Sequence, residues 1–270
     1  MEYKNLTKKV KIPALGLGTW HMGGDMTADY SQDEKYISAI GYAISKGINH
    51  IDTAEIYSAG HAEELVGEAI KKYDRKKLFI TTKVWPSHLS HDRLKKACED
   101  SLKRLGTNYI DLYLIHWPNP LANMANAMSA LDELKKEGKI KNIGVSNFSI
   151  SQLQNAQKHT KNKIVCNQVK YNLTDRGPED GLLEFCQKEN IILTAYTPIA
   201  KGTLSQSKIL ETVAKKYHKT PIQVALRYLL EKPNVIAIPK ASTKEHIDEI
   251  FGALGWKLKK EDQDYLAENF

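Results

Sequence analysis

Eight times along this chain a short run rich in Ile, Val and Leu is followed by a longer segment whose apolar residues recur at three- and four-residue spacing. The first pattern is that of a strand buried on both faces, the second that of a helix with one apolar side. The runs are Leu15–Thr19, Ile48–Thr53, Leu78–Val84, Ile110–His116, Ile140–Val145, Ile164–Val169, Ile191–Tyr196 and Val235–Pro239. The helical segments are Glu34–Lys46, Glu63–Lys71, Asp92–Leu105, Ala125–Glu137, Ser151–Lys158, Gly181–Glu189, Gln223–Leu230 and Glu245–Phe251. Eight strand-helix units in succession predict a closed parallel barrel, an α/β fold of (β/α)8 type, in preference to an open sheet.

Around that TIM barrel, Lys8–Pro13 is expected to form a hairpin arm across the bottom and Trp256–Phe270 a terminal helix. No Gly/Ser-rich or Pro-rich linker interrupts the rhythm, so residues 1–270 read as a single barrel domain. Ser31–Glu34 and Thr220–Gln223 have capping-box spacing, the second with Pro221 at the first helical position. A doubly wound nucleotide fold is disfavoured, because Gly16-Leu17-Gly18 runs into Thr19-Trp20-His21 without the third glycine of the dinucleotide fingerprint.

Composition narrows the partners. With 41% apolar and 26% charged residues the chain is rich enough to bury a core. It lacks the ~18 consecutive apolar residues of a membrane span, and its start does not have the basic-then-apolar order of a secretory signal. A cytoplasmic monomer without a membrane partner is expected. Cys98, Cys166 and Cys186 show neither disulfide nor zinc spacing and read as small buried hydrophobes. The net charge of +7 is carried by lysine, since only five of the 39 basic residues are arginine, and the lysines mix with glutamates along helical runs. Such faces are solvated rather than nucleic-acid binding.

In a barrel of this kind, chemistry sits on the loops at the carboxyl ends of the strands. Asp52 and Tyr57 follow the second run, Lys83 and Trp85 end the third, and His116-Trp117 end the fourth. Ser146-Asn147, Gln168 and Tyr196-Thr197-Pro198 follow on the next three. A phenol of pKa about 10 is a poor proton donor at neutral pH, whereas a neighbouring ammonium lowers that value. Lys83 is expected to do this for Tyr57, with Asp52 keeping the lysine charged and His116 orienting a carbonyl oxygen. Trp20, Trp85 and Trp117 are expected to wall the pocket. No metal-binding pattern is present: His88 and His91 are placed in a loop without a nearby acidic partner. A hydride donor is the natural complement.

These motifs together make the chain resemble the aldo-keto reductases over nearly its full length. The resemblance rests on Gly16–Trp20, Asp52–Tyr57, Lys83, Leu114–Pro118, Gly144–Phe148 and Ile238–Lys240. It implies reduction of aldehydes and ketones with NADPH, NADH being the alternative, with Tyr57 as general acid, Lys83 and Asp52 tuning it, and His116 orienting the substrate. It further implies that Ser146, Asn147 and Gln168 hold the nicotinamide carboxamide and that Tyr196 stacks on its ring. Thr197, Pro198, Ile199, Lys201 and Gly202 would approach the pyrophosphate. Gly18, Thr19, Trp20, Asp52, Lys240, Ala241, Ser242, His246 and Glu249 complete the implied cofactor set. Trp20, Glu55, Tyr57, Trp85, His116 and Trp117 would meet the substrate.

Two departures from the family pattern stand out. His246 occupies the position where NADPH-preferring members offer arginine to the 2′-phosphate. Because histidine loses its charge near neutrality and lacks arginine's fork, a looser grip that weakens with rising pH is expected. Few residues separate Pro118 from the next helix, so an open pocket for a range of small carbonyls is expected. The alternatives are a nicotinamide-binding sensor with little turnover, and a lyase using Lys83 as a Schiff-base amine.

Overall fold

The computed structural model describes residues 1–270. It opens with an antiparallel hairpin, β1 (Tyr3–Asn5) and β2 (Lys11–Pro13). Eight parallel strands follow in chain order: β3 (Gly16–Gly18), β4 (His50–Asp52), β5 (Phe79–Val84), β6 (Ile110–Ile115), β7 (Ile140–Ser146), β8 (Ile164–Lys170), β9 (Ile192–Tyr196) and β10 (Val235–Ala237). A Leu15–Ala237 bridge brings the first and last strands together, with Ala237 N donating to Ala14 O and Gly18 N to Pro239 O. The expected barrel is thus borne out. All eight runs become strands; β7 and β8 run one residue beyond the expected ends, and the others are trimmed by one to three residues.

Outside the strands lie α1 (Asp33–Ser45), α2 (His61–Ile70), α3 (His91–Leu105), α4 (Met124–Lys136), α5 (Ile150–Lys158), α6 (Leu182–Lys188), α7 (Lys208–Tyr217), α8 (Pro221–Glu231) and α9 (Lys244–Phe251). The terminal helix α10 (Lys260–Asn269) is shorter than the expected Trp256–Phe270. Thr220 and Gln223 form the capping box that starts α8. Ser31 does not do so for α1: its N-cap is Gln32, without a side-chain cap bond, and the Ser31 N–H instead donates to Asp29. The helix α7 was not anticipated. Its start signal is nonetheless in the sequence, because the Ser207 hydroxyl accepts from Leu210 N and Leu210, Val213 and Ala214 form its buried stripe.

Two apolar cores follow from the alternation of side chains along each strand. The larger fills the space between strands and helices. The smaller lies inside the barrel, where Leu6 and Ile12 of the hairpin pack on Phe79, Leu112, Val165, Ile192 and Ile236 and close the amino-terminal end as expected. Higher in the barrel the filling turns polar, with His50 Nε2 2.9 Å from Thr81 Oγ1. Two glycines make this packing sterically feasible. A Cβ on Gly16 would stand 2.7 Å from His50 Nδ1, and one on Gly144 2.5 Å from Leu114 Cδ2. The barrel interior is therefore filled, and the barrel opens into a cavity at its carboxyl-terminal mouth. No helix is long and apolar enough to cross a membrane.

Candidate active site

The mouth holds one large cavity of about 880 Å³. Strand alternation aims Asp52, Lys83, His116, Ser146, Gln168 and Tyr196 inward from six successive strand ends. Lys83 is fully buried, and its ammonium donates to Asp52 Oδ1 at 2.6 Å, to the Thr53 carbonyl at 2.8 Å and to Tyr57 Oη at 3.3 Å. The other Asp52 oxygen accepts from Gln168 Nε2 at 2.7 Å. Burial pulls the Lys83 amine down, but the Asp52 carboxylate and the Tyr57 oxygen more than offset this, so the lysine is held as a cation. Schiff-base chemistry needs a free neutral amine, so this lysine does not suit the lyase alternative.

Tyr57 departs from expectation in one respect. Its phenol is raised above the ordinary value, not lowered, because burial penalises the phenolate more than Lys83 favours it, and Asp52 cancels part of the lysine's field. The phenol therefore stays protonated at neutral pH, while the ammonium 3.3 Å away stands ready to stabilise charge that develops on oxygen. His116 is also electrically simple. Burial, assisted by Lys83, lowers it to about 2, so the imidazole is neutral. Its Nδ1 is buried without a partner, which leaves Nε2 as the ring nitrogen free to meet a substrate oxygen. The His116 ring stands edge-on to Tyr57 at 5.6 Å and to Trp85 at 5.3 Å between centroids.

Beside this cluster, Ser146 Oγ donates to the Gln168 carbonyl at 2.8 Å. Asn147 Nδ2 donates to His116 O and Ser146 Oγ, and Tyr196 Oη donates to Asn147 Oδ1 at 3.0 Å. Gly18, Thr19, Trp20, Thr197, Pro198, Ile199, Lys201, Gly202, Lys240, His246 and Glu249 line the same cavity. Thr197, Ala200, Lys201 and Gly202 all have positive φ, so this turn presents its backbone in an uncommon shape. Ala241 is buried, and Ser242 stands outside the lining.

Sequence reasoning missed His21, Lys170, Ser205, Ile222, Ile238 and Ile250, which also line the cavity. Ile238 was within reach, since it is in phase with inward-facing Ile236. Ile222 and Ile250 carry only the signature of helical core residues. Of the three tryptophans, Trp20 and Trp117 line the cavity half-exposed, whereas Trp85 packs behind His116. Glu55 is turned towards Trp85 and His88. His91 is not in a loop but is the first residue of α3, bonded to Asp92 and Glu133.

The match to known proteins is extensive. Residues 14–269 fit the model of the aldo/keto reductase family. The chain belongs to that family. This reductase is 37% identical to the methylglyoxal reductase YeaE of Escherichia coli over 97% of its own length and 92% of the relative's. A thermostable aldo-keto reductase solved with the inhibitor epalrestat superposes with a TM-score of 0.97 at 50% identity, covering 99% of each chain. An aldo/keto reductase from Klebsiella pneumoniae, solved with NADP and acetate, gives 0.89 at 36% identity, covering 97% of this chain and 93% of that one. The expectation of an NADP(H)-dependent carbonyl reductase holds.

Proposed function

We propose that this reductase converts small 2-oxoaldehydes and related aldehydes to alcohols, with Asp52, Tyr57, Lys83 and His116 as its catalytic set. The observation that carries the reading is the buried Asp52–Lys83–Tyr57 chain of contacts ending beside a neutral imidazole. The cleft suits an extended dinucleotide, since it runs from Tyr57 and His116 to His246 and Glu249 on α9 and collects Lys170, Lys201 and Lys240 on the way. Bound NADPH supplies a hydride to the carbonyl carbon.

His116 Nε2 donates to the carbonyl oxygen and fixes its direction. Tyr57 Oη passes its proton to that oxygen as the C–O π pair moves onto it, which leaves an alcohol, oxidised cofactor and a phenolate. Lys83 stabilises the phenolate, and Asp52 keeps Lys83 charged. Ser146, Asn147 and Gln168 bind the carboxamide, and Tyr196 offers its ring face. Gly18, Thr19, Trp20 and the turn from Thr197 to Gly202, Lys201 included, line the diphosphate path. Lys240, Ala241, Ser242, His246 and Glu249 form the adenosine end.

A short connection from Pro118 to Asn123 and half-exposed Trp20 and Trp117 leave the substrate end open, which fits small carbonyls. The similarity to a methylglyoxal reductase points the same way. The cleft is fully lined by residues of this chain, in keeping with a monomer that acts alone. The decisive assay follows loss of NADPH absorbance with methylglyoxal, glyoxal and an aromatic aldehyde. Turnover with the 2-oxoaldehydes is expected. NADPH binding without turnover on any of them would overturn the reading in favour of a sensor.

A further inference from the structure

His116 lacks the hydrogen bond that normally sets a catalytic imidazole's orientation, because its Nδ1 is buried without a partner. Packing must orient the ring instead, and two aromatic neighbours do so: Tyr57 and Trp85 each meet it in edge-to-face geometry, at interplanar angles of 73° and 88°. Trp85 is itself fixed through its backbone. Glu55 Oε1 accepts from Trp85 N at 2.5 Å and lies 2.9 Å from His88 Nδ1, so one carboxylate oxygen ties both ends of the turn that follows β5. The Glu55 side chain is 8% exposed, and its own N–H donates to the Lys83 carbonyl. From the opposite flank Asn119 Nδ2 donates to Pro86 O at 3.1 Å.

From this chain of contacts we infer that Glu55 is a positioning residue, which sets the Trp85 indole and through it the angle at which His116 presents Nε2 to the carbonyl. The inference rests on the proposed role of His116. Glu55 is not among the residues that line the cavity. A small displacement of a positioned group costs rate steeply, by about 100-fold per ångström in unfavourable cases. Loss of the tie is therefore read in carbonyl turnover and not in cofactor affinity.

The experiment compares Glu55→Ala and Glu55→Gln with the parent protein. Glu55→Ala is expected to lower kcat/KM for the aldehyde by about tenfold while NADPH affinity, read by fluorescence, stays within about twofold of the parent. Glu55→Gln keeps an oxygen for the Trp85 N–H and is expected to recover most of the loss. A second readout needs no turnover: the Trp85 amide proton and the His116 ring protons are followed by NMR in folded protein. Both are expected to shift in Glu55→Ala, the ring protons through the changed Trp85 ring current, with Glu55→Gln nearer the parent. Unchanged His116 ring signals in Glu55→Ala would overturn the inference even if the parent were inactive. An active parent with unaltered kcat/KM in Glu55→Ala would overturn it too, leaving the carbonyl-reductase reading intact.

Discussion

The carboxylate of Asp52 is shared between two partners, taking Lys83 on one oxygen at 2.6 Å and Gln168 on the other at 2.7 Å. Gln168 lies among the groups proposed for the nicotinamide, and Lys83 touches the proton donor. One buried acid thus fixes the hydride side of the site relative to the proton side. Replacing it leaves a buried cation unpaired, which is costly. Asp52→Asn is expected to lose about 3–5 kcal/mol of folding stability, measured from urea midpoints. An unchanged midpoint would show that the ion pair contributes little.

Tyr57→Phe keeps the ring and removes the proton. Reduction is expected to fall by at least about 100-fold with NADPH affinity retained, as measured by steady-state rates and fluorescence titration. Parental rates in this variant would dismiss Tyr57 as the acid.

The pH profile follows from the same phenol. Burial raises Tyr57 above the ordinary value of about 10, and His116 is neutral down to about 2. Neither group changes charge near neutrality, so kcat for reduction is expected to be flat through neutral pH and to fall only in strong alkali. Alcohol oxidation needs the phenolate and is expected to rise over that alkaline range. A reduction limb near pH 6–7 would point to a different proton donor.

At the far end of the cleft, His246 stands where a fork of donors would hold a phosphate better. His246→Arg is expected to tighten NADPH by about tenfold and to leave NADH nearly unchanged, checked by paired titrations. Equal tightening of both cofactors would place the 2′-phosphate elsewhere.

His61 pins two helix starts together, with Nε2 2.8 Å from Asp33 of α1 and Nδ1 2.8 Å from Glu64 of α2. Burial lowers its pKa, but the two carboxylates more than compensate and the net shift is upward. A raised folded-state pKa stabilises the protein fully below the unfolded value of about 6.5, and the contribution fades as pH climbs through the folded value. The gap in Tm between the parent and His61→Gln is therefore expected to be widest near pH 6 and to shrink in alkali. A gap that grows with pH would contradict the charged form.

The barrel was legible because strand and helix periodicities are local: a residue's spacing from its neighbours decides which face it shows, whatever lies across the molecule. The strand ends bearing Asp52, Lys83, His116 and Gln168 were legible for the same reason, and the cavity-lining residues from Thr197 to Gly202 followed from the family resemblance. Helix α7 was overlooked although Ser207 and its apolar stripe announce it. Other features had no local signal. Whether burial or Lys83 governs the Tyr57 phenol depends on how much solvent the closed barrel excludes. The turning of Glu55 towards Trp85 is set by the spacing of β4 and β5 across the sheet. Ile222 and Ile250 reach the cleft only because α8 and α9 pack against its wall. The sequence by itself determined the barrel and the residues on its rim, since both follow from short-range pattern. Which rim groups touch, and at what charge, was decided by tertiary structure, because distance and desolvation arise only when remote segments meet.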